Sequence, residues 1–398
     1  MGETDGAIST VPEVDYAFDP LAGPDLHDAL AAARVRGSAV WVQFLGADAL
    51  LVTGFADVRD LLFEDDRLPG GEFHKAVTEP AVGPTFISMS GVEHDVHRKL
   101  ATPAFRSRAV DQFDERDLVP LAHELVDGFA ARGEADLVAE FTTALPFAAI
   151  TRKLGLPLSD YPQMRRWADH ILSFPVDPEG ARRAAEEVGA QIAPLLEARR
   201  LDPGDDILSG LLHAREGDEH LDDDEVFATT RLLFTVGATT TSHAMGNLLH
   251  AVLTRRDVYE RACHEPAWRV AVVHELLRCD GPVAILPRIA TGDVDVLGER
   301  VPAGTMVLLA LVAANRDPEV FERPDEFDPD RPPQEVLTFG FGRKFCPGKH
   351  LARRELLTAL DVLLERLPDL RLVDEEEACP RGGVLRHPTA VRVTWTPR

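Results

Sequence analysis

The stretch with the clearest chemistry places one cysteine among glycines, a proline and basic residues: Phe339-Gly340-Phe341-Gly342-Arg343-Lys344-Phe345-Cys346-Pro347-Gly348. Glycine permits tight turns and proline interrupts helices, so the segment is predicted to be a shaped loop. A run with helical spacing follows from Lys349, which places Cys346 just before a helix N-terminus. The amide donors and positive dipole end of that helix, with the neighbouring basic side chains, are expected to lower the pKa of Cys346 and give a thiolate.

Such a thiolate can serve as a nucleophile, a redox sensor, a zinc ligand or an axial iron ligand. Zinc requires partners at short spacing, and none of the other cysteines forms a Cys-x-x-Cys pair with Cys346. Phe339 and Phe345 give the sulfur apolar neighbours, while Gly340 and Gly342 let a large flat group approach the backbone. These features favour a haem over a small substrate.

The loop resembles the haem-binding loop of the cytochrome P450 haem-thiolate monooxygenases, Phe-Gly-x-Gly-x-(His or Arg)-x-Cys-x-Gly, with lysine at the variable basic position. The resemblance implies a bound haem b (iron protoporphyrin IX) with Cys346 as the axial ligand of the iron. It also implies that Lys344 contacts a haem propionate and that Phe339, Gly340 and Gly348 belong to the cofactor site. The alternative is a glycine-rich loop around a buried structural cysteine.

The longest predicted element is a helix of about thirty residues that begins after Asp222, an N-cap candidate followed by three acidic residues. At about 1.5 Å per residue it would extend about 45 Å, the width of a domain. Its middle, residues 236–242, has low helix propensity because it combines a glycine with hydroxyl side chains that compete for backbone carbonyls. A groove or an opened turn is therefore predicted there.

The same segment resembles the family pattern Ala/Gly-Gly-x-Asp/Glu-Thr-Thr/Ser. The resemblance implies that Gly237 leaves room for oxygen beside the iron, that the Thr240 hydroxyl donates or relays protons, and that Val236 faces the substrate. Thr239 stands where the family has an acid, and a neutral hydroxyl does not carry a proton from bulk solvent as a carboxylate does. Water in its place, use of peroxide and an oxidation other than hydroxylation are the alternatives. His243, one turn after Thr239, could assist but is expected to be an exposed helix residue.

Three further basic residues are candidates for binding an anionic group. His94 and Arg98 stand four apart and therefore share one face of a predicted helix. Arg288 follows an extended stretch bounded by prolines. In the family a His-x-x-x-Arg pair and an arginine like Arg288 contact the haem propionates, so the resemblance assigns them this role. A solvated surface pair is the alternative for His94 and Arg98.

Residues 269–279 are predicted to be helical and place Glu275 and Arg278 on one face. Alone, the two would be a surface ion pair worth about a few tenths of a kcal/mol. The resemblance to the family's Glu-x-x-Arg implies instead a buried network with Arg331 that braces the cysteine loop, which is a structural role.

The resemblance also implies a substrate pocket. The Pro- and Gly-containing segment 66–89 is predicted to be an irregular connection over the haem, with Phe86 and Ile87 near the substrate. The other implied pocket residues are Val283, Ala284, Ile285, Val384 and Leu385. His74 and Lys75 could meet a substrate carboxylate, but an exposed loop pair is expected.

Strands are predicted at residues 39–44, 50–53, 293–296, 305–309 and within 371–395. Amphipathic helices are expected over most of residues 111–215. The resemblance implies a mainly α fold, a triangular helical prism with a small β region and the long helix over the haem, as one catalytic domain over residues 1–398.

The formal net charge of -25 argues against a nucleic-acid partner. The N-terminus lacks the apolar segment of a signal peptide, and no later stretch approaches a membrane-spanning length. Four widely spaced cysteines do not suggest a disulfide framework. We therefore expect a soluble, cytoplasmic monomer.

The reaction implied is insertion of one oxygen atom from O2 into an apolar or amphipathic small molecule. Electrons would come from separate proteins, a ferredoxin and its reductase. A basic island beside the cysteine is expected to dock an acidic ferredoxin, and it consists of Arg343, Lys344, Lys349, Arg353 and Arg354. The alternatives are a peroxide-using or otherwise atypical haem-thiolate enzyme and a non-catalytic haem sensor, which the lack of an output domain disfavours.

Overall fold

The structure is a computed structural model that describes residues 23–397. Helices account for 56% and strands for 11% of it, which confirms the prediction of a mainly α fold with a small β region. The α-helices of the described residues are α1 Gly23–Arg36, α2 Phe55–Phe63, α3 Glu72–Val77, α4 Glu79–Val82, α5 Gly91–Ala101, α6 Ser107–Phe113, α7 Val119–Asp127, α8 Ala144–Leu154, α9 Tyr161–Leu172, α10 Pro178–Leu201, α11 Ile207–His213, α12 Asp223–Leu253, α13 Arg256–His264, α14 Arg269–Cys279, α15 Leu311–Ala314 and α16 Lys349–Arg366.

The strands form three small sheets. Their bounds are β1 Ala39–Phe44, β2 Ala47–Val52, β3 Glu134–Asp136, β4 Ile285–Ile289, β5 Val294–Val296, β6 Glu299–Val301, β7 Met306–Ala310, β8 Arg371–Leu372 and β9 Arg392–Thr394. The largest sheet has the order β1-β2-β7-β4, in which only the β2–β7 pair is parallel. The strands predicted at residues 39–44 and 50–53 are present as the antiparallel hairpin β1–β2, whereas the short strand β6 was not predicted because Glu299 and Arg300 give it no apolar alternation.

The long helix α12 is the central element, with 31 residues that pack against α8, α9 and α16. It begins with a capping box, in which the Asp222 side chain accepts from the Glu225 N–H and the Glu225 side chain accepts from the Asp222 N–H. The prediction of an opened turn in its middle is wrong. The hydroxyls of Thr239 and Thr240 donate to the carbonyls of Thr235 and Val236 at 2.8 and 2.9 Å. Both hydroxyls therefore find acceptors within a continuous helix.

Segment 66–89 is more ordered than predicted, because it contains the short helices α3 and α4. Two of its helix-breaking residues stand where helices begin. Gly71 is the N-cap of α3, and Pro80 lies in the first turn of α4, where a missing N–H costs nothing.

In the described part of the chain, no helix is both long and apolar enough to cross a membrane. All four cysteines are free thiols.

Candidate active site

The cysteine loop is a tight turn held by its own backbone. The Cys346 N–H donates to the Phe339 carbonyl and the Gly340 N–H donates to the Leu337 carbonyl, both at 2.8 Å. Gly340 and Gly342 have φ values of 71° and 72°, a region that favours glycine. A Cβ on Gly342 would also lie 2.9 Å from the Phe63 ring. The loop was therefore predicted correctly, and Cys346 lies directly before α16.

The expected low pKa of Cys346 is wrong for the protein chain itself. Burial raises the pKa of the Cys346 thiol above its ordinary value. The N–H groups of Gly348 and Lys349 and the charge of Arg98 oppose this rise without overcoming it. The helix start thus favours the thiolate, but a low-dielectric setting disfavours any uncompensated charge more strongly.

The sulfur faces a large cavity between α12, α5, β4 and the cysteine loop, with about 1510 Å³ of space that no protein atom fills, counting its open mouth. Most of its wall is apolar. The predicted pocket residues Phe86, Ile87, Val236 and Val283 line it, and the cofactor residues Phe339, Gly340 and Gly348 line it beside Cys346. Other apolar lining residues include Phe105, Leu232, Leu233, Leu286 and Leu351.

One end of the cavity is cationic, because His94, Arg98, Arg288 and Lys344 all line it. Arg98 donates to the Phe345 carbonyl, and Lys344 donates to the carbonyls of residues 86, 87 and 89. Burial lowers the pKa of Arg288 to about 10 and that of Lys344 to about 8. The four side chains come from α5, β4 and the cysteine loop, so only the tertiary fold brings them together.

His74 is a fifth member of this end, and the expectation of an exposed loop residue is wrong for it. It lies on α3 and lines the cavity, where burial and the charges of Arg288 and Lys344 lower its pKa to about 3. Lys75, the next residue, is exposed as expected. Segment 66–89 has the composition of a loop, so no local signal indicated that His74 turns inward.

Two buried nitrogen atoms at this end, His94 Nε2 and Arg288 Nε, have no hydrogen-bond partner in the described part of the chain. Arg288 Nε is a donor of the kind that suits a carboxylate, and a single thiol between apolar walls suits an iron ligand of a flat apolar ring. The residues present therefore fit a haem with its propionates at the cationic end and its iron at Cys346.

The α12 wall of the cavity is formed by residues that recur every three or four positions. Gly237 and Thr240 line it as predicted, and Thr241 lines it as well. Thr239 does not, because it lies on the other side of the helix, where it is 3% exposed. A Cβ on Gly237 would lie 3.2 Å from Ile150, so glycine at this position also permits close packing of α12 on α8.

Four predicted pocket residues are absent from the cavity wall. Ala284, Ile285 and Val384 belong to a buried cluster beneath the large sheet, and Leu385 packs against it. Strand alternation explains why Ile285 on β4 does not line the cavity, since Leu286 and Arg288 face the cavity and Ile285 faces the opposite side.

Below the cavity, the predicted Glu275–Arg278 pair is present and buried. The Arg278 guanidinium donates to both carboxylate oxygens of Glu275 at 2.7 and 2.9 Å, with side chains only 1% and 3% exposed. Arg331 joins the pair, with its Nε 3.5 Å from Glu275 Oε1. The surface alternative is thus wrong.

Asn315 and Thr338, to which the sequence pattern assigned no role, connect this network to the cysteine loop. The Asn315 side chain accepts from the Leu337 N–H and donates to the Thr338 hydroxyl, both at 2.8 Å. Arg278 donates to the Asn315 carbonyl at 2.9 Å, so the chain of contacts runs from α14 to the loop. Asn315 is fully buried, and both groups of its side-chain amide find partners inside the fold.

The basic island divides into paired and unpaired cations. Arg354 pairs with Asp111 and Asp114 at 3.0 and 3.5 Å, and Arg343 lies within 3.8 Å of Asp65 and Asp95. Lys344 points into the cavity and is not part of the outer surface.

Lys349 and Arg353 lie over the rings of Phe345 and Phe339, at 4.7 and 5.4 Å. Neither forms an ion pair with an acidic residue of the described chain. They are therefore the two cations of the island whose charge is not offset locally.

His243 is buried, contrary to the expected exposed position. It is 5% exposed and its ring stacks on that of His387, with centroids 3.8 Å apart. His387 lies 144 positions further along the chain, at a spacing that no local pattern reveals.

Comparison with known proteins identifies relatives along nearly the whole chain. The family model for cytochrome P450 matches residues 270–395. The mycinamicin IV hydroxylase/epoxidase of Micromonospora griseorubida is 35% identical over 361 residues, which cover 88% of this chain and 90% of that protein. The nocardicin C N-oxygenase of Nocardia uniformis subsp. tsuyamanensis is 35% identical over 96% of this chain and 98% of that protein.

Solved structures share the fold. The myxobacterial cytochrome P450 CYP267B1 in complex with myristic acid superposes with a TM-score of 0.86 at 29% identity, covering 94% of this chain and 96% of that chain. A point mutant of the mixed-function P450 MycG in complex with mycinamicin IV has a TM-score of 0.83 at 33% identity, covering 97% of this chain and 100% of that chain.

Proposed function

Because this chain belongs to the cytochrome P450 family, whose members bind haem and act as monooxygenases, we propose that it inserts one oxygen atom of O2 into an apolar or amphipathic small molecule at the cavity above Cys346. The observation that carries the proposal is the composition of one cavity. A single thiol lies in one wall, the unpartnered Arg288 Nε donor lies at one end beside Arg98 and Lys344, and the remaining walls are largely apolar.

Haem, when bound, supplies the iron centre at which O2 is activated. Cys346 would hold the iron, because a coordinated thiol is deprotonated outright and the N–H groups of Gly348 and Lys349 stabilise its charge. The propionates would be held by His94, Arg98, Arg288 and Lys344.

On the opposite wall, the Thr240 hydroxyl donates to the Val236 carbonyl, which fixes its orientation. With its proton on that carbonyl, the hydroxyl oxygen keeps lone pairs that can accept a hydrogen bond from a group in the cavity. Gly237 adds no side chain to this wall.

The cavity wall that would face the substrate supports the proposed substrate class. Phe86, Val236 and Val283 offer apolar surface, and burial of such surface contributes about 25 cal/mol per Å². The relatives named for mycinamicin IV and nocardicin C, and the structural neighbour with myristic acid, support a small organic substrate.

For the electron supply we propose docking of an acidic ferredoxin at Lys349 and Arg353. Both residues lie on the first turns of α16, directly after the cysteine loop. Two unpaired cations on a chain with a net charge of -25 form a local attractive site for an acidic partner.

The decisive experiment is the optical spectrum of the dithionite-reduced protein under carbon monoxide. A thiolate-ligated carbonyl complex absorbs at markedly longer wavelength than a histidine-ligated one. We expect the long-wavelength band in the wild type and in the control Cys379→Ala, and its loss in Cys346→Ala. No haem, or a histidine-like band, would contradict the proposal.

A second experiment tests which oxidant the enzyme uses. It compares substrate turnover driven by a ferredoxin chain and O2 with turnover driven by hydrogen peroxide. Turnover with the ferredoxin chain supports the proposal. Turnover with peroxide alone would show a peroxide-using enzyme, the alternative that Thr239 raises.

A further inference from the structure

His74 is a half-buried histidine on α3 that lines the cationic end of the cavity. Its Nδ1 atom lies 3.2 Å from the hydroxyl oxygen of Thr78, one turn further along the chain. The other ring nitrogen, Nε2, has no hydrogen-bond partner in the described part of the chain. The side chain therefore has one ring nitrogen available to a group bound in the cavity.

The start of α3 packs closely on two cations of this end. α3 contacts β4, the strand that carries Arg288. A Cβ on Gly70, just before α3, would lie 2.7 Å from Lys344 Cδ and 3.4 Å from the guanidinium carbon of Arg288, so a side chain there would crowd both cations. Burial, then the charges of Arg288 and Lys344, lowers the pKa of His74 to about 3. His74, Arg288 and Lys344 are thus electrostatic neighbours.

The donors at this end of the cavity are not equally free. An ammonium group has three N–H donors, and that of Lys344 contacts three carbonyls, those of Phe86, Ile87 and Met89. Lys344 therefore contributes its charge to the cavity, while its N–H groups already have acceptors. Arg288, by contrast, keeps its Nε donor without a partner among the described residues.

The two histidines of this end differ in what their Nδ1 atoms contact. His94 Nδ1 lies 3.2 Å from an Asp95 carboxylate oxygen, which only accepts, so a neutral His94 ring has its proton on Nδ1 and none on Nε2. The Thr78 hydroxyl can donate to His74 Nδ1, which leaves the proton of a neutral His74 ring on Nε2. Burial lowers the pKa of both histidines, so both rings are neutral near pH 7. His74 is the one that can donate to a carboxylate in this neutral form.

We propose that His74 is a further cofactor-binding residue, whose Nε2–H donates to a haem propionate beside Arg288. The inference rests on the proposed monooxygenase function, since haem brings the two carboxylates. The permanent charges of Arg98, Arg288 and Lys344 give this end the positive charge that suits them. A substrate carboxylate would offer the same chemistry, and an esterified haem separates the two sources.

The test uses protein loaded with haem and protein loaded with haem dimethyl ester, in which both carboxylates are blocked. His74→Phe keeps a ring but removes both nitrogens, and His74→Gln restores an N–H donor. The control is His264→Phe, which changes an exposed histidine on α13. The readout is the rate at which apomyoglobin removes the cofactor.

We expect His74→Phe to lose haem at least about fivefold faster than the wild type, with His74→Gln and the control within about twofold of it, as the loss of one hydrogen bond predicts. Loss of the dimethyl ester should be equally fast in the wild type and every variant, because no carboxylate remains to accept. Equal haem loss from His74→Phe and the wild type would overturn the inference. An equal acceleration with both cofactors would also overturn it, since His74 would then act only through packing.

Myristic acid and tetradecan-1-ol, which differ in the carboxylate, test the substrate as the source. In optical titrations of the haem-loaded protein, His74→Phe should not weaken binding of the acid more than binding of the alcohol. A selective loss of acid binding would assign His74 to a substrate carboxylate and overturn the inference. A wild type without the long-wavelength carbonyl band would instead contradict the proposed function, so the two failures are distinguishable.

Discussion

At the scale of single residues, Arg288 is a buried cation without an ion-pair partner among the described residues. Such a residue would stabilise a bound anionic group but lowers the stability of the haem-free protein. It is 3% exposed, and its Nε atom has no partner in the described part of the protein. We predict that Arg288→Leu weakens haem retention at least about tenfold, since hydrogen bonds to charged groups contribute about 1.5–3 kcal/mol. The haem-free variant should be no less stable than the haem-free wild type, because the substitution removes a desolvated charge.

Haem transfer to apomyoglobin and the thermal midpoint of the haem-free protein measure these two effects. Arg300→Leu is a suitable control, since its side chain is 83% exposed. Unchanged haem retention in Arg288→Leu would contradict the assignment of Arg288 to a propionate.

A single buried carboxyl group, that of Glu355, is expected to make the free energy of unfolding depend on pH. It lies on α16, is 1% exposed and has an unpartnered Oε2 in the described structure. Burial raises its pKa well above the ordinary 4.5, although Lys153 opposes the rise. The folded protein therefore keeps a proton that the unfolded chain releases above about pH 4.5, and the free energy of unfolding falls as pH rises from there towards the folded pKa.

Each pH unit in that window costs up to about 1.4 kcal/mol of stability. We predict that Glu355→Gln removes this slope, so that the variant gains stability over the wild type as pH rises above about 4.5. Urea midpoints at a series of pH values measure it, with the exposed Glu365→Gln on the same helix as control. If the urea midpoints of wild type and Glu355→Gln changed with pH in parallel, the prediction would be contradicted.

At the scale of elements, the Glu275–Arg278 pair joins α14 to the segment that leads into the cysteine loop. The Asp328 N–H donates to Glu275 at 2.9 Å, and Arg278 donates to the Pro324 carbonyl at 2.8 Å. Breaking such a buried pair costs about 3–5 kcal/mol because an uncompensated charge remains. We predict that Glu275→Ala loses this stability and most of its haem.

The control for Glu275→Ala is Glu260→Ala. Glu260 pairs with Arg256 at 2.9 Å on the surface of α13, where the expected loss is about 0.5 kcal/mol or less. Thermal melting and haem content per chain measure both variants. A Glu275→Ala protein with full haem occupancy and an unchanged melting temperature would show that the network does not brace the loop.

At the scale of the whole molecule, we expect the charge distribution to govern the encounter with the proposed electron donor. The net charge of -25 would repel an acidic ferredoxin, whereas the unpaired cations Lys349 and Arg353 would attract it. We predict that Lys349→Glu combined with Arg353→Glu slows reduction of the iron by about 10- to 100-fold at low ionic strength. The difference should shrink with added salt, since the screening length falls from about 10 Å at 0.1 M to about 3 Å at 1 M.

Stopped-flow reduction at several ionic strengths measures this effect. Arg354→Glu should slow reduction less, because Asp111 and Asp114 already offset that charge. Equal rates for the Lys349/Arg353 double variant and the wild type at every ionic strength would place the docking site elsewhere.

The sequence alone determined the features whose signals are local. The turn around Cys346, the start of α16, the capped start of α12 and the helix over 269–279 all depend on residues within a few positions of each other. Glycine permits left-handed backbone where it stands, proline restricts the backbone, and an acidic N-cap bonds to the next turn. Such effects act along the chain, so the order of the residues reveals them.

Only the tertiary structure decided which side of each element meets the cavity. Sequence patterns did not separate Thr239 from Thr241, or Ile285 from Leu286, because both members of each pair fit the same local element. The facing side is set by packing against distant segments, which also turns His74 inward and brings His387 onto His243. The pKa of Cys346 follows the same rule, since burial by the assembled fold outweighs the local pull of the helix start.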